Sequence, residues 1–305
     1  MLGVGSTLDT SGPTTTSGIF LARFLADGSP DPAFAGGGSE TVYLPGNLDF
    51  VEDAVVLADG RILVDVIHGA PAGNHDFALA RFDSHGSLDT SFGDQGLRLV
   101  DLGSDDFAYG MALQGDGKVV IAGQIRWSPP SMVVVRVDAA GILDTSFGNE
   151  GKTIVGDLSH TTYAGTPLVL PDGRIFVTSA RYPTSDPSRT EGILVGLNSA
   201  GNFRRGFGSF GIVTETAPSA GVYFGRPHLL PHGQILVTAR VGNNPILIRY
   251  AASTGALDTT YGSGGRMSTG SMLVYDETVV AGGKVLVAGY DQATGHTVIR
   301  RYLNA

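Results

Sequence analysis

The side chains with chemistry to offer stand in short polar segments of this 305-residue chain and do not gather in one motif. Glu52, Asp106, His160 and Tyr163 are the groups that could move a proton as acid or base, as a hydrolase or lyase acting on a polysaccharide-like polymer requires. Two adjacent carboxylate pairs, Glu52-Asp53 and Asp105-Asp106, offer oxygen ligands of the kind that a hard cation such as calcium takes, although their spacing matches no EF-hand loop. His68, Arg126, Trp127, Arg181, Tyr182, Tyr223 and Tyr290 supply ring faces and donors for stacking on and hydrogen-bonding a glycan, a peptide or another polar ligand. Each type also has a structural reading: carboxylates cap strand ends, loop tyrosines and arginines are ordinary surface, and Trp127, just before Pro129-Pro130, can cover the base of its loop.

Stronger signatures are missing. There is no cysteine, which rules out disulfides, thiolate metal sites and cysteine nucleophiles. The histidines form no ligand motif: His68 and His75 share a loop, while His228 and His232 flank a turn and do not lie on a helix. No Gly-x-Ser-x-Gly elbow precedes a helix, and no phosphate loop carries Lys-Ser or Lys-Thr. A formal net charge of -9 argues against nucleic acid or an anionic membrane surface as the main partner, while leaving room for a local basic patch. Neither a leader peptide nor a membrane span is expected within this sequence, because no basic start leads into an apolar stretch and no apolar run reaches 18 residues.

The elements that must position these groups announce themselves by repetition. An aromatic-glycine loop reads SPDPAFAGGG at 29–38, SLDTSFGDQG at 87–96, ILDTSFGNEG at 142–151, NFRRGFGSFG at 202–211 and ALDTTYGSGG at 256–265. Its aromatics, Phe34, Phe92, Phe147, Phe207 and Tyr261, are 58, 55, 60 and 54 residues apart. The glycines six places earlier, Gly28, Gly86, Gly141, Gly201 and Gly255, keep the same step, so two features stay in phase over five copies.

Each unit holds four short runs of strand character, seen in LRLV at 97–100, YGMALQ at 109–114, KVVIAG at 118–123 and MVVVRV at 132–137, and no segment sustains a helical period. Between the second and third of these runs stands a two-residue turn: Asp59-Gly60, Asp116-Gly117, Asp172-Gly173, His232-Gly233 and Gly282-Gly283. Such pairs predict type I′ turns, with positive φ at both residues. The loop aspartates Asp89, Asp144 and Asp258 are expected to accept backbone N–H bonds while the nearby aromatic packs between neighbouring sheets.

Four-stranded units that cannot bury both faces alone must stack on one another, and radial stacking leaves only short edges. The predicted fold is therefore all-β, a propeller of about six four-stranded antiparallel blades, with a β-sandwich as the alternative. The repeats run approximately 1–40, 41–96, 97–151, 152–211, 212–265 and 266–305, read as one propeller domain.

The turn, the strand ending Val-x-Ala-Gly, the Ala-Arg-Phe strand, the turn glycine and Leu-Asp-Thr-Ser-Phe-Gly-x-x-Gly together resemble the delta-60 repeat, a bacterial family, and the blade pattern is also similar to NHL-type propellers. The copies depart from that pattern at Arg204, Tyr261 and Ala35. The resemblance implies a propeller and a tendency towards secreted or cell-surface proteins; it implies no activity.

Small residues before the Asp-Gly turn, as in DAVVLADG at 53–60, suit a crowded first strand, innermost in its blade, with the run after the Phe-Gly loop outermost. First strands then fall near 53–57, 108–113, 164–169, 222–229 and 274–280; the first blade lacks this strand and the last lacks its outer one. On this phase the second-to-third-strand loops and the interblade links share one rim, carrying His68, Arg126, Trp127, Arg181, Tyr182, Arg240, Tyr290 and Asp291, with Glu52, Asp53, Asp105, Asp106, His160, Tyr163 and Tyr223 nearer the axis. The expected function is a non-enzymatic ligand-binding or protein-interaction module, with the propeller hydrolase or lyase as the other hypothesis. No catalytic residue, metal site or cofactor is assigned, calcium at the carboxylate pairs being the one exception left open. The expected partner is a polar ligand, a glycan or a protein, with no nucleic acid and no membrane insertion.

Overall fold

Runs of valine, isoleucine and leucine separated by glycine and aspartate favour extended chain, since branched side chains pack well on a pleated surface. A computed structural model describes residues 1–9, 16–44, 47–69, 75–126, 128–157, 159–270, 272–280 and 284–302. Among these the only helical element is a 3₁₀ turn at Pro231–Gly233. The rest of the regular structure is six sheets, each a meander in which strands adjacent in sequence are adjacent in the sheet.

The first sheet joins β1 (Leu2–Asp9), β2 (Thr16–Arg23) and β3 (Ser39–Val42). The second joins β4 (Asn47–Val56), β5 (Ile62–Gly69), β6 (His75–Phe82) and β7 (Leu97–Val100), and the third β8 (Asp106–Leu113), β9 (Val119–Ile125), β10 (Ser131–Val137) and β11 (Lys152–Val155). The fourth joins β12 (His160–Val169), β13 (Ile175–Pro183), β14 (Glu191–Leu197) and β15 (Ile212–Glu215). The fifth joins β16 (Val222–Leu230), β17 (Gln234–Val241), β18 (Asn244–Ala251) and β19 (Arg266–Ser268), and the sixth β20 (Met272–Val280), β21 (Lys284–Asp291) and β22 (His296–Tyr302). This is the all-β, six-bladed propeller pattern, with three strands in each terminal blade. The expected first strands fall within β4, β8, β12, β16 and β20.

The chain divides into two compact units, residues 1–128 with 133–154 and residues 129–132 with 155–305. In the first unit, one core forms where Ile19, Leu21 and Phe34 meet Val64, Val66 and Phe82, and another where Leu63, Phe77 and Phe92 meet Val119, Ile121 and Val135. Every residue of β9 and β10 is buried, as expected of strands covered on both faces. In the second unit Phe176, Leu194 and Phe207 pack on Ile235, Val237 and Tyr250, and Leu236, Leu247 and Tyr261 pack on Met272, Val285 and Val287. Each fully buried phenylalanine of these cores contributes about 1.5–3 kcal/mol.

A polar latch explains why aromatic and glycine stay in phase. Arg23, Arg81, Arg136 and Arg249 on the third strands pair with Asp31, Asp89, Asp144 and Asp258 at 2.8 to 2.9 Å. Each guanidinium lies over the aromatic of its loop, 4.4 to 4.8 Å from the ring centroid of Phe34, Phe92, Phe147 or Tyr261. The aspartates also accept the backbone N–H two residues on, from Ser91, Ser146 and Thr260, as their position in the loop predicts. The turn glycine of the next repeat then closes on the ring: a Cβ at Gly86 would stand 2.6 Å from Phe34, and one at Gly141 2.7 Å from Phe92.

In the fourth sheet the latch is rebuilt from other residues. Gly196 stands where the other repeats have arginine and Arg204 where they have aspartate. The Arg204 guanidinium lies 5.4 Å from the Phe207 centroid and donates to the carbonyls of Ala252 (3.0 Å) and Ser253 (2.9 Å). A Cβ at Gly196 would meet Phe207 at 2.7 Å, so the ring occupies the space an arginine stem would need.

The Asp-Gly turns differ from the type I′ expectation. Gly60, Gly117 and Gly173 have positive φ, whereas Asp59, Asp116 and Asp172 do not. Hydrogen bonds from Gly60 N to Leu57 O and from Leu57 N to Arg61 O make a three-residue loop with the glycine left-handed. The physical reason is the aspartate side chain, which accepts the N–H two residues ahead, from Arg61, Lys118 or Arg174, and holds its own backbone right-handed. Only His232-Gly233, lacking that carboxylate, has both φ positive, at 66° and 73°. Gly282-Gly283 lies outside the described residues.

A second feature was not foreseen. The first strand of each sheet from the second to the sixth carries a register shift against its neighbour, at Val51/Asp53, Ala108/Gly110, Ala164/Pro167, Phe224/Pro227 and Val274/Asp276. Bulges of this kind bend a strand and re-aim the extra side chain. The extra residues include Glu52, Tyr109, Thr166 and Arg226.

Candidate functional site

In the first unit, the end of β5, the start of β6, the β7–β8 link and the start of β8 converge, so the second-to-third-strand loop and the interblade link do share a side there. Asp76, directly opposite His68 across β5 and β6, lies with Asp101 and Asp106 so that one oxygen of each falls within 4.8 Å of the others. This is the carboxylate group among the described residues whose geometry could hold a cation, and it groups Asp106 with Asp76 and Asp101 in place of the expected Asp105. Asp106 is fully buried and already engaged, accepting from Leu102 N (3.0 Å) and Ser104 Oγ (2.8 Å). Burial pushes its carboxyl up to about 6 against those two hydrogen bonds. Asp76 is raised by burial and then by Asp101, and its Oδ1, like Nδ1 of His68, is buried without a partner.

His75 is held by the interblade link. Its Nδ1 lies 2.7 Å from Asp105 Oδ1, and its ring packs 4.9 Å from that of Phe107. Arg126 is exposed, 4.4 Å above Phe107 and 3.8 Å from Asp105. Trp127 lies outside the described residues.

Glu52, at its bulge, is raised by burial and by its neighbour Asp53. Opposite Asp53 across β4 and β5 stands Asp65, fully buried with neither carboxyl oxygen hydrogen-bonded. Burial first, then Asp53 and Glu52, hold the Asp65 carboxyl well above the usual carboxylate range. An unpaired charge is costly there, which favours the protonated form. Asp65 was not foreseen as notable, although a signal exists: aligned on the hairpin turn, the other repeats have Ala122, Thr178, Thr238 and Ala288 there.

In the second unit three tyrosines come together. Tyr163 from β12 and Tyr182 from β13 pack with centroids 5.9 Å apart, tilted by 42°, and their hydroxyls lie 3.3 Å apart. Tyr223 from β16 completes the wall, its hydroxyl 3.4 Å from Thr190 Oγ1. With Ala180 and Pro187 they line an open cleft of about 420 Å³. Tyr163 and Tyr223 are 41% and 39% exposed, so both rings present faces to solvent. The local cause is placement: Tyr163 and Tyr223 lie at the starts of first strands, and Tyr182 at the end of a second strand, where the sheet gives way to loops.

A second hollow of about 280 Å³ shares Tyr223 and adds Phe224, Arg226, Thr238, Arg240 and Leu273. Arg240 stacks on Tyr223, its Cζ 4.5 Å from the ring centroid. The other predicted residues of this unit stand apart from both hollows. His160 is held by Asp157 at 2.9 Å and Arg181 by Glu191 at 2.9 Å, and Tyr290 lines neither. Arg240 was expected at this rim, whereas Arg226, Pro187 and Thr190 were not foreseen as site residues.

A family model described as a β-propeller domain of unknown function (DUF5122) matches residues 4–34, 57–92 and 114–147. No curated protein matches the chain. Among solved structures, a protein of unknown function from Dyadobacter fermentans is similar with 13% identity and a TM-score of 0.53, over 85% of this chain and 79% of that one. A glucose dehydrogenase is similar with 11% identity and a TM-score of 0.54, over 100% and 99%. A polysaccharide lyase, an ulvan lyase bound to a GlcA(1-4)Rha3S saccharide, is similar with 11% identity and a TM-score of 0.55, over 95% and 70%. At such identities the likeness concerns the fold alone.

Proposed function

We propose that the protein is a non-enzymatic binding module that takes a saccharide in the Tyr163–Tyr182–Tyr223 cleft. The observation that carries this reading is the exposure of two ring faces around one open hollow, with phenolic hydroxyls and Thr190 at its edge. Sugar rings have an apolar face and a hydroxyl-bearing rim, and tyrosine matches both with one apolar ring and one polar tip. Rigid rings on strand ends also lose little entropy on binding.

The enzymatic alternative needs a base within reach of a reacting group in a concave pocket. Of its four candidates Asp106 is sealed from solvent, His160 is engaged by Asp157, and Tyr163 serves the cleft wall, while Glu52 belongs to the first unit. That distribution favours binding over chemistry. Calorimetric titration with a panel of neutral and acidic oligosaccharides tests the reading: wild type is expected to bind at least one class, and Tyr163→Ala and Tyr223→Ala to lose roughly tenfold each. A panel that yields no binding, or tyrosine variants that bind like wild type, would overturn it.

A further inference from the structure

The hollow beside the tyrosine cleft carries a charge that the rest of the chain does not prepare for. The protein as a whole has 29 acidic against 20 basic residues. Yet Arg226 and Arg240, both exposed, line one small hollow together. Among the described residues Arg226 has no hydrogen bond and no ion pair. Arg240 donates from Nη1 to its neighbour Gly242 O at 3.1 Å and otherwise rests on the Tyr223 ring. Neither has a carboxylate partner among the described residues, unlike the latch arginines, each of which is matched to an aspartate.

Arg226 is placed there by backbone geometry. With Gly225 it forms the two-residue side of the β16 bulge, the pair standing opposite the single Thr238 between Phe224 and Pro227, so the pleat that would send it along the strand face is broken. Its bulge partner is glycine, and a Cβ at Gly225 would stand 2.3 Å from Thr238 Oγ1 and force that side chain to move. Pro227 follows and fixes φ where the strand resumes its register. Arg240, on β17, lines the same hollow and is the cross-strand partner of Tyr223 in the β16–β17 register. Nine of the ten N–H donors of the two guanidinium groups are thus uncommitted among the described residues beside a ring already shaped for a sugar.

We propose that this hollow receives an anionic group, a carboxylate or a sulfate, borne by the saccharide whose ring stacks in the neighbouring tyrosine cleft. The ligand class is therefore an acidic saccharide. Guanidinium is the side chain that matches planar or tetrahedral oxyanions with paired donors, and a partly enclosed site beside an aromatic wall strengthens that contact. The inference rests on the saccharide reading above and adds the charge of the ligand.

The experiment compares three oligosaccharides of equal length, one neutral, one uronate-containing and one sulfated, titrated into wild type, Arg226→Met and the Arg226→Met/Arg240→Met double variant. Arg226 is exposed, and unchanged near-ultraviolet dichroism confirms that each variant is folded. The expected result is that wild type binds an acidic oligomer at least roughly tenfold more tightly than the neutral one, and that Arg226→Met removes most of that preference without changing neutral binding. The preference should also shrink as salt shortens the Debye length from about 10 Å towards 3 Å. Whichever of the uronate and sulfate arms binds more tightly identifies the group. Equal binding of all three, or a preference untouched by both variants, overturns the acidic assignment and leaves the tyrosine cleft standing. No binding by any of the three overturns both.

Discussion

The bulged first strand carries opposite chemistry in the two units. In the first it presents Glu52 near the buried Asp65, whose carboxyl is raised by burial, and Tyr109, whose hydroxyl burial raises, Arg126 lowers and Glu52 raises. In the second it presents Arg226 at the edge of an open, tyrosine-walled hollow. One backbone device thus carries a half-buried acid in one place and an exposed base in the other. The comparison teaches that the bulge supplies a position and the residue on it decides the use: half-buried Glu52 is pushed towards its protonated form, whereas Arg226, exposed beside aromatic faces, keeps the charge that the proposal above assigns to a ligand.

The largest effect that would sharpen this contrast is loss of binding in the second unit alone. Tyr163→Ala combined with Tyr223→Ala is expected to weaken oligosaccharide binding by roughly a hundredfold, about 2.7 kcal/mol, by calorimetry. Binding that survives in that variant and disappears on substitution in the first unit would reverse the assignment of the two regions.

Next in size is Asp106→Ala, which leaves Leu102 N and Ser104 Oγ without their acceptor. It should lower unfolding free energy in urea by about 1–3 kcal/mol and leave saccharide affinity unchanged. A drop in affinity with unchanged stability would make Asp106 a ligand contact.

Asp65→Thr, the residue found at the matching place in the fourth and fifth sheets, is expected to stabilise by about 1–2 kcal/mol near neutral pH. Because the folded-state pKa of Asp65 is raised above the unfolded 3.8, the folded form holds a proton that the unfolded form releases. Wild-type stability should therefore fall as pH rises from about 4 towards neutrality, and the variant should lose that part of the slope. An unchanged pH profile would mean that Asp65 ionises with a partner.

The smallest effect is expected from Arg126→Ala, an exposed side chain at the first unit's rim. Stability should stay within about 0.5 kcal/mol and saccharide affinity within error. A tenfold loss of affinity there would end the contrast.

Much of the architecture was legible in the chain. The phase of Phe34, Phe92, Phe147, Phe207 and Tyr261 against their turn glycines is a packing rule, because each ring needs the next repeat's turn to come close, and a rule repeated five times is readable without coordinates. The candidate site was legible in part. Tyr163, Tyr182 and Tyr223 were named for their chemistry and are neighbours, whereas His160, Arg181 and Tyr290 were named on the same grounds and are not in the cleft. Arg226 went unread because a bulge leaves only a faint trace in the sequence, here Gly-Arg-Pro inside a strand, and Asp65 because a buried acid is noticed only against the alanines and threonines that replace it elsewhere.

Repetition in the chain determined the strand content, the order of sheets and the loops that meet at an aromatic, since these follow from local propensity and from contacts between consecutive repeats. Which tyrosines share a hollow, which carboxylates are shut in and which arginines stay uncommitted was decided by tertiary structure alone. Burial and charge pairing depend on side chains that lie tens of residues apart in sequence, and a one-residue bulge is enough to turn a side chain from one environment to the other.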